Sequence, residues 1–145
     1  MTQLVANKKV GMTYEIGEKM LAGVELFGHE VKALRKNQGS LEGSYIIVRG
    51  GEAFLIGAYI PPYQAGNTPK EYNDRRNRTL LLHKKEIAML ANIEGKKTPL
   101  IPLAFITAGP KIKLEFTIAK GKKKHDKRQS IKKRDLERET GRKFK

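Results

Sequence analysis

The sequence predicts a mainly β domain, a small antiparallel barrel carrying two or three short helices and followed by a basic C-terminal tail. Three observations carry that reading. Short apolar runs recur along the first 119 residues between turn-forming residues, the last run alternates apolar with polar residues, and large apolar residues nearly cease after Lys120–Gly121. Residues 14–16 alternate as a strand and residues 24–27 continue the pattern. Residues 45–48 and 53–56 flank Arg49-Gly50-Gly51-Glu52, which is hairpin chemistry because adjacent glycines accept positive φ without strain. Residues 98–107 and 111–118 flank Ala108-Gly109-Pro110 as a second hairpin, with Ile112, Leu114, Phe116 and Ile118 on one face. Residues 30–36 and 83–93 read as helices, ended by Asn37-Gln38-Gly39 and by Gly95. Residues 67–78 read as a long, exposed polar loop. Short strands at these intervals with inserted helices favour an OB-like barrel over a sandwich, because the strands are few.

The chain has 145 residues, with 30 Lys and Arg against 15 Asp and Glu, a formal charge of +15. Such an excess calls for a polyanionic partner, nucleic acid first and anionic membrane second. The charge is divided unevenly. Residues 120–145 hold 13 Lys/Arg and 4 Asp/Glu, so 26 residues carry more than half of the excess. The division into a barrel over 1–120 and a tail over 121–145 follows from that shift. Ile131 and Leu136 fall on different sides of a helix, so the free tail has no apolar stripe to offset its ordering entropy. Helix-supporting pairs at Asp135–Arg138 and Glu139–Lys143, with a row of Arg134, Arg138 and Arg142, suit a segment that folds on a polyanion.

The expected chemistry is binding. Cysteine is absent, which excludes disulfides, thiolate metal sites and a cysteine nucleophile. The apolar run at 99–106 is shorter than the about 20 residues needed to cross a bilayer, and the first residues do not have a secretory signal's pattern. His29, His83 and His125 lack a second ligand at metal spacing, and neither phosphate-loop fingerprint occurs. Asp74 is the sole aspartate before the tail, which disfavours a magnesium nuclease. No catalytic residue, cofactor or metal is therefore expected. Cations cluster at Asn7-Lys8-Lys9, at Lys32, Arg35 and Lys36 on the short helix, and at Arg75, Arg76 and Arg78 in the polar loop. Tyr14, Tyr45, Tyr59 and Tyr63 read as core or rim residues, so recognition of folded RNA by shape and backbone fits better than base-by-base readout. A structural ribosomal protein with the same fold and a basic tail satisfies composition equally well.

The strings GHEVKALR (28–35), LEGSY (41–45), GEAFL (51–55), RNRTLLLHKKEI (76–87) and above all AKGKKKHDKRQSIKKRD (119–135) resemble the SmpB family of tmRNA-binding (SsrA-binding) proteins, over nearly the whole chain. That resemblance implies an OB-like barrel that binds the tRNA-like domain of tmRNA and delivers it to stalled ribosomes in the cytoplasm, as a monomer. It also implies a tail that becomes helical in the small-subunit decoding centre and mRNA channel. By position, Asn7 and Lys8 match an RNA-contacting pair, Glu30 and Lys32 the EVK helix, and Leu81 the middle of the leucine run. His125, Asp126, Lys127 and Arg128 match the decoding-site motif. With the charge clusters, the candidate RNA-binding set is Asn7, Lys8, Lys9, Glu30, Lys32, Arg35, Arg76, Arg78 and Leu81. The candidate tail set is Lys122, Lys123, His125, Asp126, Lys127, Arg128, Lys132, Lys133 and Arg134. Leu21 stands where the family often has Glu, so that contact is not carried over.

Overall fold

The computed structural model describes residues 2–63 and 70–122. Its elements in order are β1 (Gln3–Ala6), α1 (Val10–Thr13), β2 (Tyr14–Glu15), β3 (Glu18–Val24), α2 (Gly28–Arg35), β4 (Tyr45–Arg49), β5 (Glu52–Ile56), β6 (Arg78–Leu81), α3 (Lys84–Gly95), β7 (Leu100–Ala108), β8 (Lys111–Ile118) and β9 (Gly121–Lys122). Seven strands form one antiparallel sheet in the order β1-β7-β8-β3-β6-β5-β4, and β2 pairs with β9 apart from it. The mainly β, antiparallel class expected from the sequence is the class observed.

Both predicted hairpins are present because their turn chemistry is local. Arg49 faces Glu52 across Gly50 and Gly51, whose φ values of 60° and 77° give the primed turn that matches strand twist. Gly109, at φ 63°, begins the turn between β7 and β8. On β8 the side chains of Ile112, Leu114 and Phe116 enter the core, where they join Leu34, Leu41, Leu55, Ile60, Leu80, Leu90 and Phe105. Pro102 lies within β7, next to a register shift between it and Ala104, where a residue without an N–H is tolerated.

The predicted barrel is a loose description, since β1 and β4 do not pair and the sheet stays open. The free edge of β4 is covered by a side chain instead. Glu94 near the end of α3 accepts the Val48 backbone N–H at 2.7 Å and pairs with the Arg49 guanidinium. A carboxylate thus satisfies a donor that a closing strand would otherwise take. Residues 24–27 do not extend as a strand: β3 ends at Val24, and Phe27 is the N-cap of α2. Residue 78, expected in a loop, opens the interior strand β6. Backbone pairing continues to Lys122, which faces Tyr14.

Gly39 marks a tight approach. Its φ is +130°, and a Cβ there would stand 2.8 Å from the Tyr59 carbonyl oxygen, which accepts the Ser40 N–H. Gly39→Ala is expected to cost about 1–3 kcal/mol. Gly28→Ala, at the first position of α2 with open space around it, is expected to be neutral or mildly stabilising. Equal shifts in denaturant midpoint would contradict this contrast.

Candidate nucleic-acid interface

The buried ion pair between helix and strand fixes the frame of the candidate surface. Glu30, at the third position of α2, is 0% exposed, and so is Arg78 at the start of β6. Arg78 donates from Nη2 and Nε to Glu30 Oε2 at 2.7 and 3.0 Å. It also donates to the carbonyls of Ala58, Arg76 and Asp74 at 2.8, 3.0 and 3.2 Å. Arg76 adds a forked pair, Nη2 to Glu30 Oε1 at 2.5 Å and Nε to Oε2 at 3.1 Å. The Phe27 N–H reaches Glu30 Oε1 at 2.7 Å, which supplies the backbone half of a capping box. The Tyr72 hydroxyl lies 2.8 Å from Glu30 Oε2 and accepts from Arg78 Nη2 at 3.0 Å.

Two charges in the interior are tolerable only when they are paired and their remaining donors satisfied, and both conditions are met here. Desolvation is the largest influence on Glu30 and pushes its pKa up. The bonds from Arg76 and the Phe27 N–H, with the charge and bonds of Arg78, outweigh it and hold the carboxyl below its ordinary value. Burial, then the Glu30 carboxylate, push the Tyr72 pKa up, so its hydroxyl stays protonated. The network ties residues 72–78 to the start of α2. His29 stacks edge-on against Tyr72 at 4.5 Å, and its buried Nδ1 has no hydrogen-bond partner among the described residues.

These positions correct two expectations. Glu30 and Arg78 present no side-chain surface, so neither can touch RNA while the fold holds. Arg76 is mostly committed to Glu30, the Glu25 carbonyl and the Asn77 carbonyl. Residues 72–78 therefore form an anchored segment, with arginines turned inward at 76 and 78.

Among the other described candidates Lys8, Lys9, Lys32, Arg35 and Leu81 are exposed and Asn7 is half-buried, spread over the segment after β1, helix α2 and strand β6. The Asn7 amide donates to the Pro102 carbonyl at 3.0 Å, and the Asn7 N–H to Leu103 O at 2.7 Å. Those bonds lock the segment that presents exposed Lys8. Lys9 pairs with Glu42 at 3.1 Å, an exposed contact that adds little stability. Asn7, Lys8 and Lys9 line a 230 Å³ depression with Gly39, Ser40 and Glu42. Lys32 is exposed on α2, while Arg35 in the same helix donates to the Pro110 carbonyl at 2.8 Å.

Leu81 is 54% exposed at the end of β6. It faces Gly23 across the strand pair, and a Cβ on Gly23 would stand 3.1 Å from the Leu81 Cβ. Leu21, also exposed, joins Leu81, His83, Glu86 and Lys113 around a groove of 420 Å³. Leu21 reaches this groove because it lies two residues from Gly23 on β3 and so shares its face. Phe27, which the sequence reading placed in a strand, is half-exposed beneath a guanidinium, and Tyr45, read as core or rim, is exposed. Lys122 is placed through its backbone in β9, and Lys123, His125, Asp126, Lys127, Arg128, Lys132, Lys133 and Arg134 lie outside the described residues. No helix among the described residues is long and apolar enough to cross a membrane.

Comparison with known proteins identifies the family. The family described as SmpB protein matches residues 4–145. The SsrA-binding protein of Mesoplasma florum is 43% identical over 143 residues, 98% of this chain and 96% of that one. The SsrA-binding protein of Burkholderia vietnamiensis is 41% identical over 140 residues, 96% and 95% of the two chains. A solved structure described as "tmRNA-SmpB: a journey to the center of the bacterial ribosome" superposes with a TM-score of 0.67 at 36% identity, covering 82% of this chain and 84% of that one. Near-complete coverage, concordant relatives and a shared fold lead to one conclusion: the chain belongs to the SmpB family.

Proposed function

We propose that this chain is the RNA-binding adaptor of trans-translation. It binds the tRNA-like domain of tmRNA and carries it to stalled bacterial ribosomes in the cytoplasm. The observation that carries this reading is the 43% identity to an SsrA-binding protein across 98% of the chain. The exposed Lys8, Lys32 and Leu81 support it as a surface for folded RNA. Bound there, the protein body takes the place of an anticodon arm. The basic tail, from Lys122 and Lys123 through His125, Asp126, Lys127, Arg128, Lys132, Lys133 and Arg134, then occupies the empty decoding site and mRNA channel. Its work is recognition and placement, not bond chemistry. Lysines and arginines neutralise RNA phosphates, and binding supplies the free energy that orders the tail.

A competition gel shift at physiological salt, with tmRNA, tRNA and a generic RNA hairpin, tests the reading. Preferential capture of tmRNA is expected. Equal affinity for all three, together with stoichiometric retention on salt-washed ribosomes, would instead identify a structural ribosomal protein. Lys8→Ala should weaken tmRNA binding and shrink the slope of log affinity against log salt by about 0.7–0.9, one phosphate contact. An unchanged slope would exclude that contact.

A further inference from the structure

Of the described phenylalanines, Phe27 alone is exposed, at 51%. Core packing accounts for only part of its placement, since about half of this large apolar side chain stays exposed. Arg76 provides the second observation: its guanidinium carbon lies 4.0 Å from the ring centroid. That cation is fixed in advance. Its fork grips both Glu30 oxygens, Nη2 also reaches the Glu25 carbonyl at 3.2 Å, and Nη1 reaches the Asn77 carbonyl at 3.3 Å. His29 approaches the Phe27 ring at 5.6 Å and is itself held against Tyr72. A flat aromatic surface is therefore oriented before any ligand arrives, which lowers the entropy lost on binding.

Exposed cations occur on both elements that adjoin the ring. Arg75 is exposed and lies over the Tyr59 ring at 5.1 Å, and Lys32 is exposed on the helix that Phe27 caps. Of the carboxylates beside the ring, Glu30 is buried and offset by two guanidinium groups, while Glu25, whose carbonyl Arg76 also holds, is exposed. A single ring backed by a fixed cation, with Arg75 and Lys32 exposed on the segment and the helix that adjoin it, fits an unpaired base of an RNA, whose π face stacks while its phosphates meet cations. An apolar peptide would need a continuous greasy groove, and this patch is one ring wide.

We propose that Phe27, backed by Arg76, is a stacking platform for one unpaired nucleobase of the bound RNA, separate from the Lys8 segment and the Leu21–Leu81 groove. The proposal rests on the reading of the chain as an RNA adaptor, and its test separates the two. The chain has no tryptophan, so Phe27→Trp installs a sole indole reporter. Titration of that full-length variant with the tRNA-like domain of tmRNA should quench its fluorescence while affinity is retained. Phe27→Ala and Phe27→Leu should each weaken binding about 5- to 100-fold, with unchanged salt slope, measured well below each variant's melting temperature.

Unquenched indole, wild-type affinity in Phe27→Ala, or full rescue by leucine would overturn the platform while leaving the adaptor reading intact. Loss of tagging on ribosomes with RNA affinity unchanged would assign the ring to a protein contact and overturn it too. A wild-type chain that fails to prefer tmRNA over tRNA would remove the adaptor reading itself.

Discussion

Glu30→Gln is expected to destabilise the fold by about 3–5 kcal/mol, lowering the melting temperature on the order of 10–20 °C, because it leaves Arg78 charged and buried without its counter-ion. The amide keeps the size of the carboxylate but can no longer offset the guanidinium. Arg78→Met in the same background should recover part of the loss, since an apolar side chain of similar length needs no partner there. Additive losses in the two single variants and the double variant would show that the pair is not coupled. The pH dependence has a definite sign. The folded Glu30 carboxyl titrates below its ordinary value of 4.5, so its contribution is present above that pH and disappears as pH falls through the folded value. The stability gap between wild type and Glu30→Gln should therefore narrow on acidification in thermal melts. A gap that stays constant down to about pH 3 would contradict the ion-pair account.

Deleting residues 123–145 is expected to abolish tagging on stalled ribosomes while leaving tmRNA affinity within about twofold at physiological salt. The cut preserves the β2–β9 pairing that ends at Lys122. The reasoning is a division of labour by charge and packing. The buried apolar residues of the core and the exposed Lys8, Lys32 and Leu81 all lie at or before Ala119, whereas the removed segment is rich in cations and poor in large apolar residues. A parallel loss of RNA affinity and tagging would mean that one surface does both jobs. The tail's cations strengthen nonspecific attraction, so the comparison must be made above low salt, where that attraction is screened.

The parts of this molecule that were legible in its sequence are those whose cause is local. Gly50-Gly51 declares its hairpin, and the alternation from Ile112 to Phe116 declares which face of β8 is buried. Helices α2 and α3 were placed within about two residues, because helix ends fray and caps depend on geometry. Long-range pairing was not legible. Arg78 sits in a run of polar residues that reads as exposed, and its partner Glu30 lies 48 residues earlier. Arginines at 76 and 78 look alike as letters, yet one stays partly exposed and the other is fully buried, because strand β6 turns residue 78 toward the core. The insertion of β3 between β6 and β8 and the covering of the β4 edge by Glu94 are likewise properties of topology. The family motifs located Lys8, Lys32 and Leu81 on exposed positions. They did not separate the residues that hold the surface in shape from those that present it.

The central claim is that this chain joins tmRNA to a stalled ribosome. A reconstituted translation reaction on an mRNA lacking a stop codon tests it most directly, with ribosomes, charged tmRNA and the chain added together or singly. Tagged, released polypeptide that requires both tmRNA and the chain is the predicted result. Undiminished tagging without the chain, or a chain that binds ribosomes tightly yet yields no tagged product with tmRNA present, would contradict the account.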